Sequence, residues 1–200
     1  MSQHNNDAKE ISEMDAPIQS ITTKPILTGP NLILRPITAA DAPDMFASLS
    51  DKESNRLTGT QDTFTLEQVE KYCAKIGPDP NRADYAITRH NDPTYLGEVV
   101  LNEIDWDNRS ANFRIALASA KLFGQGLGSE ATRLILDYGF TQLNLHRIEL
   151  EVYDFNPRAQ HVYEKIGFVR EGVRRDVLFW EGKYQSGIIM SLLGHEYLSR

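Results

Sequence analysis

The chain has 200 residues, enough for one domain with a sizeable core, and no second domain is needed. Its net charge of -7 argues against a basic nucleic-acid surface and weakly favours a cationic partner. Cys73 is the only cysteine, which excludes an internal disulfide and fits a reducing cytoplasm. No apolar run is long enough to span a bilayer, and the N-terminus lacks the basic-then-apolar layout of a signal peptide.

Residues 1–28 are polar with little periodicity and read as a flexible arm ahead of a single domain over 29–200. Residues 31–36 alternate into an opening strand that Pro36 ends. Thr38 is positioned to cap a first helix reaching Leu49, with Pro43 early in it. Thr65 caps a second over 66–76, where Leu66, Val69, Cys73 and Ile76 recur at helical spacing and Gly77-Pro78 stops the run. Residues 83–89 and 95–106 read as strands, and Asp107-Asn108-Arg109 turns the chain into a returning antiparallel strand over 110–118. A glycine-rich loop and a helix over about 128–142 follow, with Leu127, Ala131, Leu134, Ile135 and Tyr138 on its core face. Residues 146–153 alternate Ile148, Leu150 and Val152 against Glu149 and Glu151 as a strand. Asn156-Pro157 opens a short helix closed by Gly167, and two last strands, 168–180 and 183–193, flank a turn at Glu181-Gly182. This order predicts a mixed α/β layout with one crossover around the glycine loop, which makes the two strands flanking it parallel neighbours.

The loop Gly124-Gln125-Gly126-Leu127-Gly128-Ser129 carries the chemistry. Glycines take positive φ and let a ligand approach the backbone, and the following helix start offers free N–H groups to an anion. A phosphate or pyrophosphate is the natural guest, beside the plain reading of a glycine-rich turn. A P-loop requires Gly-Lys-Ser/Thr, but Gly182-Lys183 is followed by Tyr184. Gly126-x-Gly128-x-x-Ala131 fits the dinucleotide fingerprint, with Glu149 or Glu151 at suitable distance, yet a hairpin precedes it and too little chain follows for a second βαβ half.

The segment 124–131, followed after about thirty residues by Asn156-Pro157-Arg158-Ala159 and Val162-Tyr163-Glu164-Lys165-Ile166-Gly167-Phe168, resembles the paired motifs of the GNAT superfamily of N-acetyltransferases. The similarity runs from about Leu32 to Leu193 and looks closest to the branch of ribosomal-protein alanine acetyltransferases. It implies a GNAT fold: a mostly antiparallel sheet splayed at the cofactor cleft, with helices on both faces. It implies acetyl-coenzyme A as acetyl donor, with its pyrophosphate on Gly124, Gln125, Gly126, Leu127, Gly128 and Ser129, and its pantetheine arm against Ile115, Ala116 and Leu117. Those three could equally be ordinary core strand. Phe123 departs from the family, which often has Arg or Gln there; backbone amides then carry the phosphate contacts and Phe123 modifies affinity.

The resemblance also implies residue roles. Asn156 caps its helix and in relatives also binds the cofactor arm. Tyr163 matches a tyrosine near the cofactor sulfur that protonates the departing thiolate; otherwise it is a core tyrosine. Glu151 matches a proposed general base for an amine that is mostly protonated at neutral pH, beside the reading of a solvated strand-face carboxylate. Glu103 is the reserve base, and water could relay the proton. Asn112 stands where relatives often carry Glu. Cys73, on an apolar helix stripe, reads as buried rather than as an acyl carrier. The histidines lack ligand spacing, so no metal is expected.

The expected acceptor is a primary amine, either a protein N-terminus or a small molecule, acetylated directly in a ternary complex by a cytoplasmic monomer or homodimer without nucleic-acid or membrane partners. Trp180, Tyr184, Phe64 and Arg56 are candidates to line its site, and Ser186 replaces an Asp common in relatives. The alternatives are a non-catalytic acyl-coenzyme A-binding sensor and a dinucleotide oxidoreductase.

Overall fold

The computed structural model describes residues 20–199 apart from Thr22, so most of the arm expected over 1–28 lies outside the described residues. One eight-stranded sheet forms the centre, in the order β1-β2-β3-β4-β5-β6-β8-β7. Its strands are β1 (Leu27–Thr28), β2 (Leu32–Pro36), β3 (Ala83–Arg89), β4 (Gly97–Asp105), β5 (Ser110–Leu117), β6 (Arg147–Tyr153), β7 (Val169–Trp180) and β8 (Lys183–Leu193). Neighbours are antiparallel except β5 and β6, the predicted parallel pair. The domain begins earlier than residue 29. Leu27 and Thr28 pair with β2, Ile21 is buried, and the Lys24 ammonium donates to the carbonyls of Ile76 and Gly77, both at 2.8 Å.

Six helices flank the sheet: α1 (Ala42–Ser48), α2 (Lys52–Thr58), α3 (Leu66–Ile76), α4 (Leu127–Asp137), α5 (Pro157–Ile166) and α6 (Gly194–Leu198). Alternation along the strands divides the core. Tyr85, Val99, Leu101, Phe113, Ile148, Leu150 and Met190 point to one face, where Leu127, Ala131 and Ile135 of α4 and Ile166 of α5 cover them. Ala86 points to the other face, where Met45 of α1 and Val69, Cys73 and Ile76 of α3 pack with it. Thr65 caps α3 as its sequence predicts, accepting from the Gln68 N–H at 3.3 Å while Gln68 returns a bond to the Thr65 N–H at 2.7 Å.

Besides β1 and α6, which were not expected, three elements differ from expectation. The first helix is preceded by a tight turn at Ala39–Asp41, because the Asp41 carboxylate bonds back to the Thr38 N–H at 2.8 Å and pairs with Arg35. The separate α2 was missed; Asp51 caps it by accepting from the Ser54 N–H at 2.9 Å, and Gly59 ends it at φ 69°. The helix expected to run to about 142 widens into a π turn at Tyr138–Gln142. There the Gly139 backbone lies so close to the sheet that a Cβ would come within 2.9 Å of Ile148.

Candidate active site

The parallel pair β5 and β6 is bonded over only three residues, Ser110 to Asn112 against Arg147 to Glu149. Beyond them β5 continues to Leu117 and β6 to Tyr153 without pairing, so the sheet opens into a V. Ile115, Ala116 and Leu117 all lie on the open arm. The Leu117 carbonyl is already engaged by the Ser54 hydroxyl of α2 at 3.1 Å. Ala116, contrary to expectation, turns its backbone into the β4 ladder with its carbonyl against Gly97, so alternation along β5 leaves the Ile115 carbonyl to face a ligand.

The glycine loop stands at the end of that arm. Gly124 and Gly126 have φ of 76° and 81°, a region that strains any residue with a Cβ, and open space lies where those Cβ atoms would be. Gly126 is the N-cap of α4, with no side chain bonded to the helix start. The N–H groups of Leu127, Gly128 and Ser129 therefore form the uncapped first turn of an eleven-residue helix. A Cβ at Gly128 would meet the Ile115 side chain at ordinary contact distance, so the start of α4 lies beside β5. The Gln125 side chain is tied between Arg89, from which it accepts at 3.0 Å, and the Lys121 carbonyl, to which it donates at 2.9 Å. Glu130 holds α4 to the start of β2, accepting from the N–H groups of Asn31 and Leu32 at 2.7 and 2.9 Å. Against the upward push of burial, these bonds and one from the Asn31 amide keep its carboxyl below the ordinary range.

Asn156 caps α5, its Oδ1 accepting from the Ala159 N–H at 3.1 Å, and its Nδ2 donates to none of the described residues. Pro157 occupies the first turn and Gly167 closes the helix at φ 118°. Tyr163 sits on α5 over the point where the V opens. Its ring meets Phe113, the residue after the last paired position of β5, edge-on at 5.9 Å, and Phe168 at 5.8 Å. Burial pushes its phenol well above the ordinary range, so it remains a proton donor at neutral pH.

Glu151 lies on the diverging arm of β6, on the sheet face opposite α5. Its carboxylate reaches across β8 to the Arg174 guanidinium at 2.5 Å. The passage depends on Gly187, whose Cβ would fall 1.7 Å from Glu151 Oε1. The structure thus gives Glu151 a partner that strand alternation could not reveal. Glu103 is not brought to the cleft. It is exposed at φ 52° in a bulge, next to Asn102, which pairs with Asn112. At about 3.3 Å per residue, that register leaves it more than ~10 Å along the strands from Ala116. Cys73 is buried and its thiol is pushed up to about 11, chiefly by burial, which leaves it protonated and inert. Among the described residues, no group of three or more His, Cys, Asp or Glu could hold a metal, and no helix is long and apolar enough to cross a membrane.

On the opposite face from α5, the V opens beside a cleft of about 240 Å³ lined by Arg56, Phe155, Trp180, Glu181, Lys183 and Gln185. Trp180 and Arg56 thus meet as expected. Tyr184 instead packs against Phe179 with the rings tilted and their centroids 4.9 Å apart, and Phe64 is exposed outside the cleft lining. Sequence reading missed what positions this wall. Asp51 accepts from Ser119 Oγ and the Ala120 N–H at 3.0 and 3.1 Å, tying α2 to the end of β5. Gly59 lets the α2 terminus close on Tyr153, whose hydroxyl would lie 2.4 Å from a Cβ. Tyr153 stacks on Phe155 at 5.3 Å, and Arg56 covers Phe155 at 5.0 Å while paired with Glu53. The Asp51 cap, followed by Glu53 in the first turn, was the signal that could have revealed α2.

Comparison with known proteins agrees with this geometry. Spermidine N(1)-acetyltransferase of Vibrio cholerae serotype O1 is 43% identical over 105 residues, covering 52% of this chain and 60% of that protein. The Escherichia coli K12 enzyme of the same name is 41% identical over 103 residues, covering 52% and 55%. These matches span less than two thirds of either relative's length. A putative ribosomal N-acetyltransferase of Bacillus subtilis, YdaF, is 31% identical over 106 residues, 53% of this chain and 57% of that one, so the ribosomal branch is not singled out. The crystal structure of spermidine N-acetyltransferase from Vibrio cholerae in complex with CoA and spermine superposes with a TM-score of 0.78 at 30% identity, covering 84% of this chain and 98% of that one. Residues 31–169 match the family described as acetyltransferase (GNAT) domain, and the chain belongs to that family.

Proposed function

We propose that this chain transfers the acetyl group of acetyl-coenzyme A to a primary amine of a small aliphatic polyamine, directly and in a ternary complex. The observation that carries the reading is the V between β5 and β6, with an open glycine loop at its end and the Tyr163 ring over its origin. Acetyl-coenzyme A supplies an activated thioester when bound. The first-turn amides of α4 hold its pyrophosphate, and the Ile115 backbone, which faces the opening of the V, aligns its pantetheine arm. Asn156 adds its amide N–H to that arm. Backbone N–H groups near Leu117 polarise the acetyl carbonyl. Glu151, directly or through a water, takes the amine proton, and the Tyr163 hydroxyl gives one to the departing sulfur.

Within the cleft the Trp180 ring and the Glu181 carboxylate attract an ammonium group, against the opposing charges of Lys183 and of Arg56, which already covers Phe155. The overall charge of -7 and the spermidine-acetylating relatives point the same way. One observation favours a second reading, an α-amino group followed by a carbonyl, as at a peptide N-terminus. Trp180 Nε1 is buried without a hydrogen-bond partner, and a protonated polyamine offers that donor no acceptor.

Incubation with acetyl-coenzyme A and a panel of spermidine, spermine, diamines and peptides, read by mass spectrometry, tests both. Acetylated spermidine is the expected product. Product from peptides only would install the second reading. Binding of acetyl-coenzyme A without product from any amine would return the chain to the acyl-coenzyme A sensor.

A further inference from the structure

Phe123 stands directly before the glycine loop, where relatives often carry Arg or Gln. The structure shows what occupies its face. The guanidinium carbon of Arg158, second residue of α5, lies 4.0 Å from the Phe123 ring centroid. Arg158 forms no ion pair among the described residues. Its field reaches Glu53, but both Glu53 oxygens are already bonded to Arg56, at 2.8 and 2.9 Å. An arginine is thus parked on an aromatic platform beside Gly124 and Gly126, facing a loop with open space in front of it. Stacking leaves the edge N–H groups of a guanidinium free, and that planar fork matches phosphate oxygens.

We infer that Arg158, held on the face of Phe123, contacts a phosphate of coenzyme A and supplies the cation that the glycine loop itself lacks. Position 123 then keeps its place in phosphate recognition as a platform instead of a charge. The inference rests on acetyl-coenzyme A being the donor, but not on any choice of acceptor.

Titration calorimetry on the full chain with coenzyme A and with 3′-dephospho-coenzyme A tests it, together with steady-state kinetics and melting temperatures. Arg158→Ala is expected to weaken coenzyme A binding and raise the KM for acetyl-coenzyme A about tenfold, with melting temperature unchanged. Arg158→Lys recovers some of the loss, since it restores charge without the fork. Phe123→Leu produces a smaller loss in the same direction. If the Arg158→Ala deficit persists with the dephospho form, the contact is to the pyrophosphate; if it vanishes, the contact is to the 3′-phosphate, and either result supports the inference. A folded Arg158→Ala protein that binds both ligands within about twofold of the unaltered chain overturns it. An unaltered chain that binds no coenzyme A overturns the donor reading and this inference with it.

Discussion

The two sides of the cleft are built differently. The donor side consists mostly of backbone: a length of β5 unpaired with β6, a loop with two left-handed glycines, and the starts of α4 and α5. The proposed acceptor side consists of side chains drawn from three separate segments, α2, the turn after β6 and the β7–β8 hairpin. A backbone site tolerates changes in most side chains so long as φ and the caps survive. A site made of Arg56, Phe155, Trp180 and Glu181 changes its preference with any one of them. Recognition of the donor can therefore persist across a family while the acceptor drifts.

The sharpest way to break this comparison is at the two proposed proton-transfer groups. Tyr163→Phe is expected to lower turnover about a hundredfold, the low end for general acid work, while coenzyme A affinity by calorimetry stays unchanged. Glu151→Gln is expected to lower turnover by a similar factor of about a hundred. Gly187→Ala should follow it, because the added methyl expels Glu151 from its path to Arg174. If Glu151 serves only that ion pair, both variants keep full turnover and shift stability by less than about 1 kcal/mol.

Next in size is the loop. Gly126→Val puts a β-branched residue at φ 81° and costs about 1–2 kcal/mol in backbone strain, besides filling the space in front of the helix start. The KM for acetyl-coenzyme A should rise at least about tenfold, with acceptor preference intact. Trp180→Ala sharpens the contrast from the other side. It should raise the acceptor KM about tenfold and leave the donor KM within about twofold.

The smallest effect concerns how the hairpin is held. Arg147 and the Ser191 hydroxyl bond Glu171 and lower its carboxyl from 4.5 to about 2, joining β7 to β6 across β8. A depressed carboxyl contributes stability that is fully present above its unfolded value and is lost as pH falls towards the folded one. Melting temperature should therefore fall between about pH 4.5 and 2 in the unaltered chain, and less steeply in Glu171→Gln. Equal slopes would show that the contact contributes nothing to the hairpin.

Much of the fold and of the donor side was legible because its determinants are local. Thr65, Asn156 and Gly167 mark helix ends through their own backbone chemistry, and the turn at Glu181-Gly182 needs positive φ at both positions, which it has at 47° and 82°. Strand alternation placed Ile148, Leu150 and Val152 inward correctly. The π turn at Tyr138–Gln142 was hidden because it answers to Ile148 and Leu101 on the sheet, not to its own residues. Glu103 illustrates the same limit. A strand address does not say how far along the sheet a carboxylate lands, and the bulge turns it outward.

By itself, the sequence determined the order of the elements other than β1, α2 and α6, the single parallel crossover, the glycine loop and the family, because periodicity, caps and glycine spacing act within a few residues. Only the tertiary structure decided where β5 and β6 diverge, that Gly187 opens a path from Glu151 to Arg174, and that Arg158 rests on Phe123. Each of those depends on residues brought together across the sheet or between a loop and a later helix, and spacing along the chain does not encode such distances.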